Sequence, residues 1–293
     1  MNNYKEQLPL FKSNCYLETL GMMKMAIDNR LLMGLFGEPG TGKTTVLRGI
    51  QHNEFECHYI LCDTNMVMRD LLNEIAKSVG MTITGGRNKH ELQSDLTDYL
   101  QVNNKHCFLL DECEYLNHRN IDKLDVLRQI WDQTRVPFIF GGTRALQSAL
   151  KSGHKAQSYN SQLYRRLYQV ELGTMEHSEV DDYMTLLEEK YAVKFMPEVR
   201  SDLYDYCCDR ENGGLGTFTE LIKCIFMFVR PEWNNISAQI YFEDHPKELE
   251  KYLLDGKEDE NNRPFEPVII ENLKTAIINK NILKGALKIK VTK

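Results

Sequence analysis

The residues Gly37-Glu38-Pro39-Gly40-Thr41-Gly42-Lys43-Thr44 set glycines, a lysine and a hydroxyl in the spacing G-x-x-x-x-G-K-[ST], which suits one task, holding a polyphosphate. Glycines allow successive backbone N–H groups to turn inward around an anion with no side chain in the way. Lys43 brings a point charge for the β and γ phosphates, and the Thr44 hydroxyl suits a magnesium ion. A helix beginning here adds its positive N-terminal end. The expected ligands are ATP and Mg2+, held between Gly37 and Thr45.

A second group follows downstream. Cys107-Phe108-Leu109-Leu110 is an apolar run that delivers Asp111 and Glu112 at its end, the edge where open α/β sheets bind ligands. Asp111 is placed for the magnesium shell, largely through water, and Glu112 for polarising a water that attacks the γ phosphate. Thr143, in Gly141-Gly142-Thr143-Arg144, either contacts the γ phosphate or the attacking water, or simply caps the next helix. Arg165 and Arg166 could complete the ATP site of a neighbouring copy as an arginine finger, or form an exposed pair on the surface. The reaction these groups describe is hydrolysis of ATP to ADP and phosphate.

Such chemistry needs strands that end at the site and helices that begin there. Leu31–Phe36, His58–Cys62, Cys107–Leu110, Val136–Phe140 and Tyr168–Leu172 read as short strands. Pro137 fits only a strand start, because it cannot donate to a ladder. Helical spacing covers Thr44–Ile50, Met66–Val79, Lys89–Val102 and Ile121–Gln133. The alternation predicts an α/β fold, a P-loop parallel sheet sandwiched by helices, over residues 1–173.

After Gly173 the pattern becomes helical. Ser178-Glu179-Val180-Asp181 reads as a helix start, and Glu198–Cys208 and Leu215–Arg230 complete a small all-α lid over 174–231. Residues 232–267 read as a polar linker, and 268–293 as a basic tail holding a short helix and a strand-like end.

Composition sets limits on this reading. The chain has 293 residues, room for one core and a smaller satellite, and no apolar run nears the roughly 20 residues of a membrane span. Its first residues lack the pattern of a secretory leader, so a cytoplasmic setting is expected. The eight cysteines are scattered without repeated C-x-x-C spacing and read as reduced thiols.

Taken in order, Gly37 to Thr45, Asp111-Glu112-Cys113-Glu114-Tyr115-Leu116 and Gly142-Thr143 make the stretch from Tyr16 to Arg230 resemble AAA+ ATPases, in particular the branch of the transposition regulators MuB and TnsC and the secretion ATPase ExeA. The resemblance implies a homo-oligomer, ring or filament, that assembles with ATP on double-stranded DNA, recruits a transposase or similar recombinase, and lets go after hydrolysis. An ExeA-like assembly ATPase, or a switch that binds no DNA, is the alternative. Many AAA+ lids carry an arginine in a G-x-x-R setting. Gly213-Gly214-Leu215-Gly216-Thr217 has none, which implies slow or partner-stimulated turnover.

A net charge of -6 confines any DNA contact to local patches. From Gln133 to Val170 there is no Asp or Glu, yet Arg135, Arg144, Lys151, Lys155, Arg165 and Arg166 fall there. That stretch could face a neighbour's triphosphate, track a phosphate backbone, or be a solvated face. Arg87, Lys89 and Arg119 lie where the resembling regulators place DNA-facing residues, and with Lys151 and Lys155 they form the expected DNA set.

Overall fold

Apolar runs too short for helices become the strands of a buried sheet, and the amphipathic segments between them cover both its faces. The computed structural model describes residues 8–83, 88–117, 122–152, 159–208, 214–255 and 268–291. The chain divides into two compact units, residues 14–173 and residues 1–13 with 174–293.

The first unit runs α1 (Asn14–Asp28), β1 (Leu32–Phe36), α2 (Lys43–Gly49), β2 (Glu56–Leu61), α3 (Met68–Ser78), α4 (Lys89–Val102) and β3 (His106–Asp111). A 3-10 turn, Cys113–Asn117, leads to α5 (Asp122–Thr134), β4 (Phe138–Gly142), α6 (Arg144–Ser152), α7 (Tyr159–Arg166) and β5 (Leu167–Glu171). The five strands are parallel in the order β2-β3-β4-β1-β5. Every residue of β1 and β4 is buried, as expected of parallel strands covered on both faces.

Alternate strand residues feed two cores. Phe36, Ile60, Phe108, Leu110 and Phe138 pack with residues of α3, α4 and α5 on one face. Met33, Leu35, Leu109, Ile139 and Val170 pack with residues of α1 and α2 on the other. At roughly 25 cal/mol per Å² of apolar surface removed from water, these layers supply the main driving force for the unit.

Local chemistry sets the element ends. Arg30 adopts a left-handed φ of 54°, and Leu31 N–H turns back to Ala26 O at 2.9 Å, closing α1 before β1. Asn88 caps α4 by accepting from His90 and Glu91 N–H, while Glu91 accepts from Asn88 N–H at 3.0 Å. Pro137, directly before β4, offers only its carbonyl, which accepts from Phe108 N–H at 3.0 Å.

The second unit holds α8 (His177–Tyr191), β6 (Val193–Phe195), α9 (Pro197–Cys208), α10 (Gly214–Val229), α11 (Trp233–Asp244), α12 (Pro246–Asp255), β7 (Ala276–Ile278) and α13 (Lys280–Val291). Three expectations are corrected here. The lid is not all helical, because β6 and β7 pair in parallel. Of the polar linker expected over 232–267, residues 256–267 lie outside the described residues, and Trp233–Asp255 forms α11 and α12. Its apolar residues recur at helical spacing, and Trp233, Ile236, Ala238, Ile240 and Phe242 are buried. The tail is ordered strand first and helix second, with Ile278, Leu283 and Ala286 in the unit's core.

The helix start expected at Ser178 lies at Glu176, whose N–H donates to the Glu179 carboxylate at 2.9 Å. Leu8 and Phe11 also pack on this core, and Phe11 stacks on Tyr183 at 5.3 Å. No described helix is long and apolar enough to cross a membrane.

Candidate nucleotide site

The C-terminal edge of the five-stranded sheet brings together the Gly37–Thr44 loop, Asp111, Glu112 and Thr143. The loop after β1 turns through Gly40 (φ 82°) and Gly42 (φ 96°), angles that favour glycine. At Gly37 the fold is close, since a Cβ there would meet Thr41 Oγ1 at 2.8 Å. At Gly42 a Cβ would meet nothing within 4 Å among the described residues, and the positive φ is what favours glycine there.

Lys43 opens α2 and folds back over the loop, where its Nζ donates to Gly37 O at 2.8 Å and Glu38 O at 3.0 Å. Burial pushes the pKa of Lys43 down, opposed by the charges of Glu114, Glu112, Asp111 and Glu38. Thr44, next along the helix, donates its hydroxyl to Asp111 Oδ2 at 2.7 Å. The loop after β1 and the end of β3 are thereby joined directly.

Asp111 is buried, and it also receives the Tyr59 hydroxyl on Oδ2 at 2.8 Å and the Glu112 N–H on Oδ1 at 3.0 Å. Glu112 then leaves the sheet with a φ of 57°, a left-handed conformation that costs a residue with a Cβ about 1–3 kcal/mol and that clusters at functional sites. Burial raises the Glu112 pKa, and the nearby charges of Glu114 and Asp111 raise it further. Glu114 carries a buried Oε2 with no hydrogen-bond partner among the described residues.

Small residues at the end of β4 permit this crowding. A Cβ on Gly141 would meet Leu47 Cδ1 at 2.7 Å and Asp111 Oδ1 at 3.3 Å; one on Gly142 would meet Leu146 Cδ2 at 2.5 Å. Gly37 N–H donates to Gly142 O at 3.3 Å, which ties the loop to β4. Thr143 follows β4, and its Oγ1 accepts from Leu146 N–H at 3.4 Å, a cap on α6. Arg144 reaches Glu38 of the loop, Nε to Oε1 at 3.7 Å, and pairs with Glu171 at the end of β5.

These residues fit ATP and magnesium. The loop is wrapped by backbone, a lysine lies across its carbonyls, and a hydroxyl and a carboxylate sit where a hard cation takes oxygen ligands. Gly37 to Thr45, with Asp111, could hold both. Glu112 is one residue beyond the last of these ligands.

Other candidates fall apart from this cluster or outside it. Arg165 and Arg166 end α7 and are exposed, with Arg166 Nε lying 3.4 Å from Asp132 Oδ1. Lys89 is exposed in the first turn of α4 and Lys151 in the last turn of α6. Arg87, Arg119 and Lys155, and Gly213 of the lid, lie outside the described residues. Tyr59, Glu114 and Arg144 were not assigned to the site from sequence. Tyr59 reaches it because β2 is the neighbour of β3, which only the strand order reveals.

Residues 27–150 match the family described as AAA domain. No curated protein matches the chain. Among solved structures, the chain is similar to the Aeropyrum pernix ORC2 protein in its ADPNP-ADP complexes, at 14% identity and a TM-score of 0.60, over 82% of this chain and 71% of that one. It is similar to Cdc6p from Pyrobaculum aerophilum at 16% identity and a TM-score of 0.58, over 78% of this chain and 64% of that one. It is also similar to the Aeropyrum pernix ORC1 protein in complex with DNA, at 16% identity and a TM-score of 0.54, over 100% of this chain and 86% of that one. The segment that builds the candidate nucleotide site, residues 27–150, matches the AAA domain family and lies on a five-stranded parallel sheet with the P-loop fold of AAA+ proteins.

Proposed function

We propose that this protein binds and hydrolyses ATP and uses the nucleotide to switch its grip on double-stranded DNA as a homo-oligomer. The observation that carries the ATP reading is the 2.7 Å bond from Thr44 to Asp111, which joins the phosphate loop to the carboxylate edge of β3. When bound there, magnesium supplies Lewis-acid neutralisation of the phosphate oxygens. Lys43 leaves the Gly37 and Glu38 carbonyls to meet the phosphates, Thr44 and Asp111 hold the cation's shell, and Glu112 orients and accepts a proton from the attacking water. Thr143 stands at the γ-phosphate edge, and Arg165 or Arg166 serves the site of the next copy.

Two features support the DNA part. The segment from Gln133 to Val170 is free of acidic residues in an acidic chain, and one similar fold was solved in complex with DNA. The finer reading is regulation of DNA transposition with a transposase or similar recombinase as the recruited partner, and it rests on the resemblance carried by Gly37 to Thr45, Asp111 to Leu116 and Gly142-Thr143. Lys89, Lys151, Arg87, Arg119 and Lys155 are the proposed DNA contacts.

Sedimentation with ATP, ADP or a slowly hydrolysed analogue, with and without duplex DNA at two salt concentrations, tests this. ATP-dependent co-assembly that weakens steeply with salt is expected, because bound phosphates release counterions. Nucleotide binding with no DNA dependence at either salt would overturn the DNA part and favour a switch that acts on protein partners alone.

A further inference from the structure

At the opposite end of the sheet, where β2 and β3 begin, three metal-ligating side chains converge. Glu56 and His106 are partners in the strand register, and His58, two residues along β2, shares their face. His58 Nε2 lies 3.0 Å from His106 Nδ1. Glu56 Oε2 lies 3.8 Å from the first nitrogen and 3.5 Å from the second.

A four-coordinate zinc ion, with bonds of about 2.0–2.1 Å, holds its nitrogen and oxygen ligands roughly 3.4 Å apart. The three observed separations bracket that spacing, so an ion could enter with small side-chain movements and no change in the backbone. The rings are already oriented. His58 is buried and stacks on Phe108 at 5.5 Å, and the two imidazoles sit at 5.1 Å between centroids. Facing nitrogens at 3.0 Å need one shared hydrogen; an ion displaces it once that ring takes its other tautomer.

We propose that Glu56, His58 and His106 form a binding site for a divalent transition cation of the zinc class, clamping β2 to β3 with one coordination position left for water. Imidazole with carboxylate selects such ions over magnesium or calcium, which prefer all-oxygen shells. The site is separate from the nucleotide edge. The register that pairs Glu56 with His106 reaches Leu61 and Asp111 five residues later, about 16 Å away at 3.3 Å per residue.

The test is zinc titration of the chelator-stripped full chain against a chromophoric indicator, with His106→Asn and Glu56→Gln beside it. ATP binding of each variant reports on the integrity of the nucleotide unit. Glu56 is exposed, so its variant should fold normally. One zinc per chain is expected, weakened at least about tenfold in both variants with ATP affinity unchanged. Absence of zinc uptake by the parent chain, or equal affinity in parent and variants, would overturn the site. So would a thiolate-to-cobalt charge-transfer band on cobalt substitution, since it would place the ion on cysteine.

Discussion

Tyr59 and Thr44 donate to the same oxygen of one buried carboxylate: both hydroxyls meet Asp111 Oδ2, at 2.8 and 2.7 Å. Asp111 is thereby held in one orientation by β2, by α2 and, through its other oxygen, by the N–H of Glu112. The carboxylate is aimed by protein groups before any cation arrives. Burial and the Asp111 bond push the Tyr59 pKa up to about 12, so this donor keeps its proton throughout the neutral range.

Tyr59→Phe removes one of these donors and leaves the ring in place. A net loss of about 1 kcal/mol in the orientation of Asp111 is expected, seen as several-fold weaker magnesium-dependent ATP binding with folding intact. Titration of nucleotide at fixed and varied magnesium measures it, and an unchanged magnesium dependence would show that Thr44 alone suffices.

Arg144 balances the carboxylates of Glu38 and Glu171 at a partly exposed position. Arg144→Ala should lower global stability by no more than about 1 kcal/mol, because half-exposed pairs are screened. It should weaken ATP binding more visibly, since Glu38 then stands beside the phosphates without its counter-charge. Adding Glu38→Gln should restore affinity; failure of that rescue would mean that Arg144 acts in some other way.

The parallel sheet and the glycine turn after β1 were legible in the sequence because each leaves a local mark. Glycines at Gly40 and Gly42 record positive φ, and apolar runs ending in Gly37 or Asp111 record strands that stop at the site. What stayed hidden depends on contacts between distant segments. The bond between Tyr59 and Asp111 spans 52 residues and follows from strand order, not spacing. The helices α11 and α12 were masked by acidic and amide residues on their outer faces, although Trp233, Ile236 and Ile240 supply a buried stripe. The two-residue offset of the α8 start reflects a carboxylate, Glu179, serving as the capping group where a hydroxyl was expected.

Alkaline pH should loosen the second unit. Burial raises the Tyr191 pKa from 10.0 to about 12, partly offset by its hydrogen bond to Ser237 at 2.9 Å. Between those values the folded state holds the proton and the unfolded chain sheds it, so stability is full below pH 10 and falls as pH rises toward 12. A two-unit shift corresponds to up to about 3 kcal/mol. Denaturant melts monitored across that window should show the fall, and Tyr191→Phe should make it shallower; an equal slope in the variant would remove Tyr191 from the effect.

Lys43 and Glu112 are proposed to do different work in one site, the first binding the phosphates and the second activating water. The direct measurement is ATP affinity and single-turnover hydrolysis for the parent, Lys43→Ala and Glu112→Gln, with duplex DNA present and absent. Lys43→Ala should lose most ATP affinity. Glu112→Gln should bind ATP at near-parental affinity while turnover falls by about 100-fold or more, the scale at which general-base catalysis contributes. Unchanged affinity in the first variant, or parental turnover in the second, would contradict the account.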